Sequence, residues 1–171
     1  MRAGVGETRP FEAAGADPAP LALVELLFFA YRDFVAEPDR ILTRYGFGRA
    51  HHRVLHFVCR YPGQTVAELL TILAITKQSL ARVLRDLVSE GFIEQRAGDQ
   101  DRRQRLMFPT SKGTALADEL MALQSRRMLS ALARVAPGER QAVEAFLLGL
   151  VDGEARPGIA RMVLGGGQGE A

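Results

Sequence analysis

Near the middle of the chain two amphipathic helical segments are separated by only Ala74 and Ile75, and a short hairpin follows the second. Two helices joined by so tight a turn form a helix-turn-helix. The first of the pair opens at Thr65, an N-cap residue with Glu68 three positions on, and carries Val66, Leu69, Leu70 and Leu73. The second opens at Thr76, also a capping residue, and ends at Gly91. On it Leu80, Val83, Leu84, Leu87 and Val88 recur at the spacing of one helix face and are expected in the core. That fixes the opposite face as Gln78, Ser79, Arg82 and Arg85, with Lys77 in the first turn.

Such a face holds hydrogen-bond donors and acceptors and no carboxylate. An α-helix enters the major groove of duplex DNA, where Arg bonds guanine bidentately and Gln bonds adenine, so the face has the chemistry for reading base edges. On an isolated helix the same pattern equally describes a solvated surface. The next segment decides between them. Residues 92–96 read as a strand, Gly98 and Asp99 as a turn, and residues 106–108 as a returning strand, with Asp101, Arg102 and Arg103 between. A basic hairpin tip directly after a recognition helix is a wing, able to place an arginine in the adjacent minor groove. Asp101 makes sense there as an internal partner that orients a guanidinium.

The rest of the chain frames this module. Residues 1–19 are rich in Gly, Ala and Pro and are expected to be flexible, as is most of a tail at 153–171. Between them, residues 20–152 read as one domain with a DNA-binding core at about 48–113. A first helix spans 20–36 and stops before Pro38; a second spans 48–60 and ends at Pro62 and Gly63. A long fifth helix from Thr110 reaches residue 135, and a sixth covers 137–152. The expected fold is mainly α, a winged helix-turn-helix with a two-stranded wing and long terminal helices. Leu116, Leu120, Leu123 and Leu132, with Val143, Phe146, Leu147 and Leu150, are too many apolar positions to hide in one small chain, and a homodimer is the simplest cover.

Composition excludes more than it assigns. A formal charge of +2 does not by itself argue for nucleic acid, and the absence of tryptophan argues against a base-stacking single-strand surface. No apolar run is long enough to span a bilayer and no charged leader precedes a secretory core, so the cytoplasm is the expected location, in accord with a lone cysteine, Cys59. No metal-hydrolase, nucleotide-binding or nucleophile-elbow motif is present, and the Gly165–167 run lacks the strand and helix of a phosphate loop, so an enzyme is not expected, nor a cofactor. A winged helix that contacts protein rather than DNA is the remaining alternative. A basic stripe unbroken by acids from Lys77 through Arg82 to Arg103 would favour DNA.

From about residue 21 to 150 the sequence resembles the MarR family of transcriptional regulators. The resemblance rests on Asp99, Asp101, Arg102 and Arg103 followed in register by Thr110, Ser111, Lys112 and Gly113, and on Leu87, Glu90, Gly91, Phe92 and Ile93 at the end of the recognition helix. Residues 48–58 (GRAHHRVLHFV) and 75–80 (ITKQSL) are similar to its PetP-type subgroup. Pro109 departs from the family pattern, which has Leu there, and is expected to end the second wing strand early. The resemblance implies a dimer through the terminal helices that binds double-stranded operator DNA and responds to a small-molecule effector. It also implies that Arg103 is the minor-groove arginine, Asp101 its partner, and Lys77, Gln78, Ser79 and Arg82 the major-groove readers, with Thr65, Thr76, Arg85 and Arg102 around them.

Three features bear on an effector. Phe28, Phe29, Tyr31 and Arg32, with His52 and His56, are candidates for a pocket that takes a small organic ligand. His52, His56 and Cys59 share one face of the second helix at i, i+4 and i+7, a spacing that could supply metal ligands but is read first as semi-buried packing, and no further histidine elsewhere completes a set. Cys59 is a candidate redox sensor, although the end of a helix disfavours its thiolate.

Overall fold

The structure, a computed structural model, describes residues 18–98 and 102–165. It is mainly helical, in the order α1 (Pro18–Thr43), α2 (Arg49–Arg60), β1 (Gln64–Thr65), α3 (Val66–Leu73), α4 (Lys77–Ser89), β2 (Ile93–Ala97), β3 (Arg105–Pro109), α5 (Ser111–Leu132), α6 (Arg140–Gly149) and α7 (Arg156–Leu164). The chain divides between Ala117 and Asp118 into two compact units.

In the first unit the core is built on α2, whose Val54, Leu55 and Val58 are fully buried, with Leu69 and Leu73 of α3 and Leu80, Val83, Leu84 and Leu87 of α4. Val88, expected in that stripe, is half-buried. Helix α1 does not stop before Pro38: it contains that proline and runs on to Thr43. Pro38 cannot donate to the preceding turn. The helix nevertheless continues, because Val35, Pro38, Ile41 and Leu42 recur at helical spacing and are all buried, so packing outweighs one missing hydrogen bond.

The expected two-stranded wing, β2 and β3, is present, and β1 adds a third antiparallel strand in the order β1-β3-β2. Gln64 pairs with Met107 and Thr65 with Leu106, so the residues that lead into α3 also cover one side of the wing. Pro109 does not shorten β3; it is the last strand residue, opposite Ile93. The amide of Thr110 donates to the Phe92 carbonyl at 3.1 Å and that of Gly98 to Gln104 at 3.1 Å. Hydrogen-bonded pairs alternate along an antiparallel ladder, which puts Pro109 at a position whose nitrogen points away from β2, where a proline removes nothing.

The second unit holds most of α5 together with α6 and α7. Residues 156–164 form a helix where a flexible tail was expected. Pro157 suits a first helical turn. The Arg156 guanidinium gathers the carbonyls that α6 leaves open, donating to Gly149 at 3.2 Å and Val151 at 2.9 Å. Leu147, Leu148, Val151, Ile159 and Val163 then face one another around a hollow of about 210 Å³. No residue of α6 or α7 is buried. No helix among the described residues is long and apolar enough to cross a membrane.

Candidate DNA interface

The turn between α3 and α4 is held from three sides. Ala74 takes a left-handed conformation (φ 49°, ψ 46°) and its amide donates to Leu70 at 3.0 Å, closing α3. Arg53 of α2 reaches across to donate to the Leu73 carbonyl at 2.9 Å. On the far side Thr76 caps α4: its hydroxyl oxygen accepts from the Ser79 amide at 3.2 Å and its proton goes to Ser79 Oγ at 2.9 Å. Thr65 caps α3 in the same way, accepting from the Glu68 amide at 3.2 Å while Glu68 Oε2 takes the Thr65 amide at 2.7 Å and hydroxyl at 2.8 Å. Those bonds, the amide first, hold the Glu68 carboxyl below the usual carboxylate range. Both threonines thus have a structural task besides any contact with a ligand.

Beyond the turn, α4 buries its apolar face and exposes Lys77, Gln78, Ser79, Arg82 and Arg85 together. No acid interrupts that face. Asp86 lies at its flank, where its Oδ2 stands 3.1 Å from Nε2 of His51. The wing brings Arg102 and Arg103 to solvent after the chain leaves β2. Asp99 and Asp101, the latter expected to orient Arg103, lie outside the described residues. On the wing strands Arg96 is held by Glu94 and lies over the Phe108 ring at 4.3 Å.

At the C-terminal end of α4 the segment Thr110, Ser111, Lys112, Gly113 acts as a fastening. Thr110 Oγ1 donates to the Gly91 carbonyl at 2.7 Å and accepts from the Gly113 amide at 3.1 Å. Lys112 Nζ donates to the Glu90 carbonyl at 2.7 Å and sits 4.1 Å from the Phe92 ring centre, a cation where the helix dipole is negative. Gly113 has no alternative, because a methyl group there would overlap the Phe92 carbonyl oxygen.

The residues considered for an effector are placed differently. Phe28, Phe29, Tyr31 and Arg32 are exposed along α1, not enclosed by this chain, and Arg32 is bonded to Asp33 at 2.8 Å and lies over Phe29. Arg49 of α2 lies over Tyr31 at 5.4 Å and bonds Asp39 at 2.9 Å. His52 and His56 are half-buried, and burial lowers the pKa of each below its ordinary value; His56 lowers His52 further and Arg60 lowers His56. Cys59 is half-buried. Among the described residues no group of three or more His, Cys, Asp or Glu side chains is placed to hold a metal ion.

Sequence reasoning passed over His51, Asp86, Arg53 and the fastening role of Lys112. His51 carried one local signal, its place three residues after Gly48, whose amide donates to Nδ1 at 3.2 Å.

Two short helices crossing over a left-handed turn, with a β-hairpin directly behind the second, define a winged helix-turn-helix protein. The MarR family profile matches residues 45–104. The HTH-type transcriptional regulator PetP of Rhodobacter capsulatus is 48% identical over 128 residues, 72% of this chain and 77% of that protein. Among solved structures, a MarR protein from Peptoclostridium difficile superposes with a TM-score of 0.62 at 19% identity, over 78% of this chain and 86% of that one. A Mycobacterium tuberculosis MarR family protein in complex with p-aminosalicylic acid gives 0.52 at 24% identity, over 75% and 97%. The chain belongs to the MarR family of transcriptional regulators.

Proposed function

We propose that the protein is a homodimer that reads an inverted repeat in double-stranded DNA in the cytoplasm and is released from it by a small apolar acid. The observation that carries the reading is the acid-free, exposed face of Lys77, Gln78, Ser79, Arg82 and Arg85, backed by a wing that exposes Arg102 and Arg103. In this reading Lys77, Gln78, Ser79 and Arg82 meet base edges in the major groove, Arg85 and Arg102 meet phosphates, and Arg103 enters the minor groove with Asp101 as its partner. Thr65 and Thr76 approach the backbone while holding the caps. Symmetry then places the two half-sites about one helical turn apart.

Dimerisation is supported by the apolar side chains that one chain leaves uncovered, among them Leu26, Phe28 and Phe29 on α1 and Phe146 and Leu150 on or beside α6. The effector reading draws on Phe28, Phe29 and Tyr31 beside the Arg32 cation, with the half-buried His52 and His56 of α2, and on the acid bound by the Mycobacterium tuberculosis relative. A ligand changes DNA affinity only through unequal affinity for two dimer geometries. The test is selection of bound duplexes from a random pool by native gel, followed by release with aromatic carboxylic acids. A protein that stays monomeric, or selects no sequence, overturns the reading. Release by a chelator alone, or by peroxide only while Cys59 is present, replaces the organic acid with a metal or an oxidant.

A further inference from the structure

We propose that His51 is a positioning residue for DNA recognition, setting the rotation of α4 through Asp86; the inference rests on the DNA-binding reading above. The imidazole is buried and lies flat on Phe47, ring centres 4.7 Å apart and planes 6° from parallel. Phe47 in turn meets Phe92 edge-on at 5.2 Å, and Tyr45 meets the same ring at 5.2 Å, so the platform under the histidine is anchored just past the end of α4. Because Nδ1 accepts the Gly48 amide, the neutral ring carries its proton on Nε2, and that proton is donated to Asp86 Oδ2 at 3.1 Å.

Asp86 stands one turn beyond Arg82 and next to Arg85 on α4. The leucines and valines on the buried face of α4 supply attraction without direction, so they tolerate small rotations of the helix about its axis. A hydrogen bond does not, since it weakens steeply off line. Hydrogen bonds hold the two ends of α4, at Thr76 and Glu90, and the His51 link adds a directional restraint on its body, and with it on the angle at which Gln78 and Arg82 are presented. Orienting partners one step removed from a contact act in the same way at other sites.

Two substitutions at position 51 separate the ring's two bonds. In His51→Asn the amide oxygen takes the place of Nδ1 and keeps the Gly48 bond but cannot reach Asp86. His51→Gln places an amide donor near Nε2 and keeps the Asp86 bond. The quantity to measure is the ratio of affinities of the full-length protein for its selected duplex and for random duplex, which cancels uniform electrostatic changes. We expect His51→Asn and Asp86→Ala each to lower that ratio about tenfold, and His51→Gln and Asp86→Asn, which retain the bond, to stay within about threefold of wild type. The double variant His51→Asn with Asp86→Ala should lose no more than either alone. An unchanged ratio in Asp86→Ala, or losses that multiply in the double variant, would overturn the proposal. The Asp86 side chain is 41% exposed, so its two variants decide the matter should position 51 prove intolerant. A wild-type protein with no preference between the duplexes removes the DNA reading itself, a distinct outcome.

Discussion

Leucine and phenylalanine meet opposite fates in two regions of this chain. From Val35 to Leu116 the apolar stripes close on one another: Leu42, Leu55, Leu69, Leu80, Leu87 and Phe92 are at most 1% exposed. In the first half of α1, Leu26 is 62% and Phe28 68% exposed, and Phe146 of α6 is 50% exposed. Burying apolar surface is worth about 25 cal/mol per Å², so the second set holds a driving force that one chain leaves unspent. The contrast teaches that the winged module has its partners within its own sequence, whereas the terminal helices leave apolar positions at helical spacing uncovered by the single chain.

The largest expected effect comes from charging the exposed set on and beside α6. Phe146→Asp combined with Leu150→Asp should convert a dimer to a monomer in sedimentation, keep the helical signal, and weaken binding to the inverted repeat about a hundredfold or more by losing the second half-site. A doubly substituted protein that still sediments as a dimer contradicts it. Next in size is Gly113→Ala inside the closed region, where the added methyl has nowhere to go; urea unfolding should show a loss of about 3 kcal/mol, and a change near zero would mean that the junction yields. Arg82→Ala should cost about 1 to 3 kcal/mol on the selected site and relax discrimination at one position per half-site. Arg103→Ala should instead weaken binding most where the flanks are A·T-rich, which quantitative gels on two flank series will resolve.

Smaller effects sharpen the picture. Ala74→Gly should raise stability by up to about 1 kcal/mol, since only glycine takes the left-handed turn without strain, less what glycine loses in chain entropy. A thermal midpoint that falls would place the strain elsewhere. His52 and His56 have folded-state pKa values below their ordinary value near 6.5, so the unfolded chain binds protons more readily than the folded one. Their contribution to stability is complete above pH 6.5 and declines as pH falls through that value toward the depressed ones. In His52→Gln/His56→Gln this part of the slope between pH 7 and 5 should flatten, and an unaltered slope would show both rings to be solvated.

Local signals explain what was legible in the sequence. The two helices of the reading unit declared themselves through Thr65, Glu68 and Thr76, whose caps act within three residues, and through apolar spacing that needs no distant partner. The exposed face of α4 followed from its buried one. What stayed hidden depended on distance. Strand β1 is two residues long and exists because Met107 and Leu106, some forty positions later, offer it a ladder. His51 finds Asp86 thirty-five positions away. Pro38 reads locally as a stop, and only the burial of its neighbours keeps α1 going. Helix α7 depends on Arg156 finding the open end of α6.

The short β1 strand has one further consequence, for solubility. A sheet of three strands has two rims, and a rim with open amides is a template for stacking chains into fibrils. On one side β1 covers β3 only at Leu106 and Met107, and at two residues it is itself too brief a template to extend. On the other side β2 exposes Gln95 and Arg96 beside a half-buried Glu94, a rim of polar and charged groups that a second sheet would have to strip of water. Keeping the sheet rims unattractive leaves the exposed apolar faces of the helices as the surfaces open to self-association.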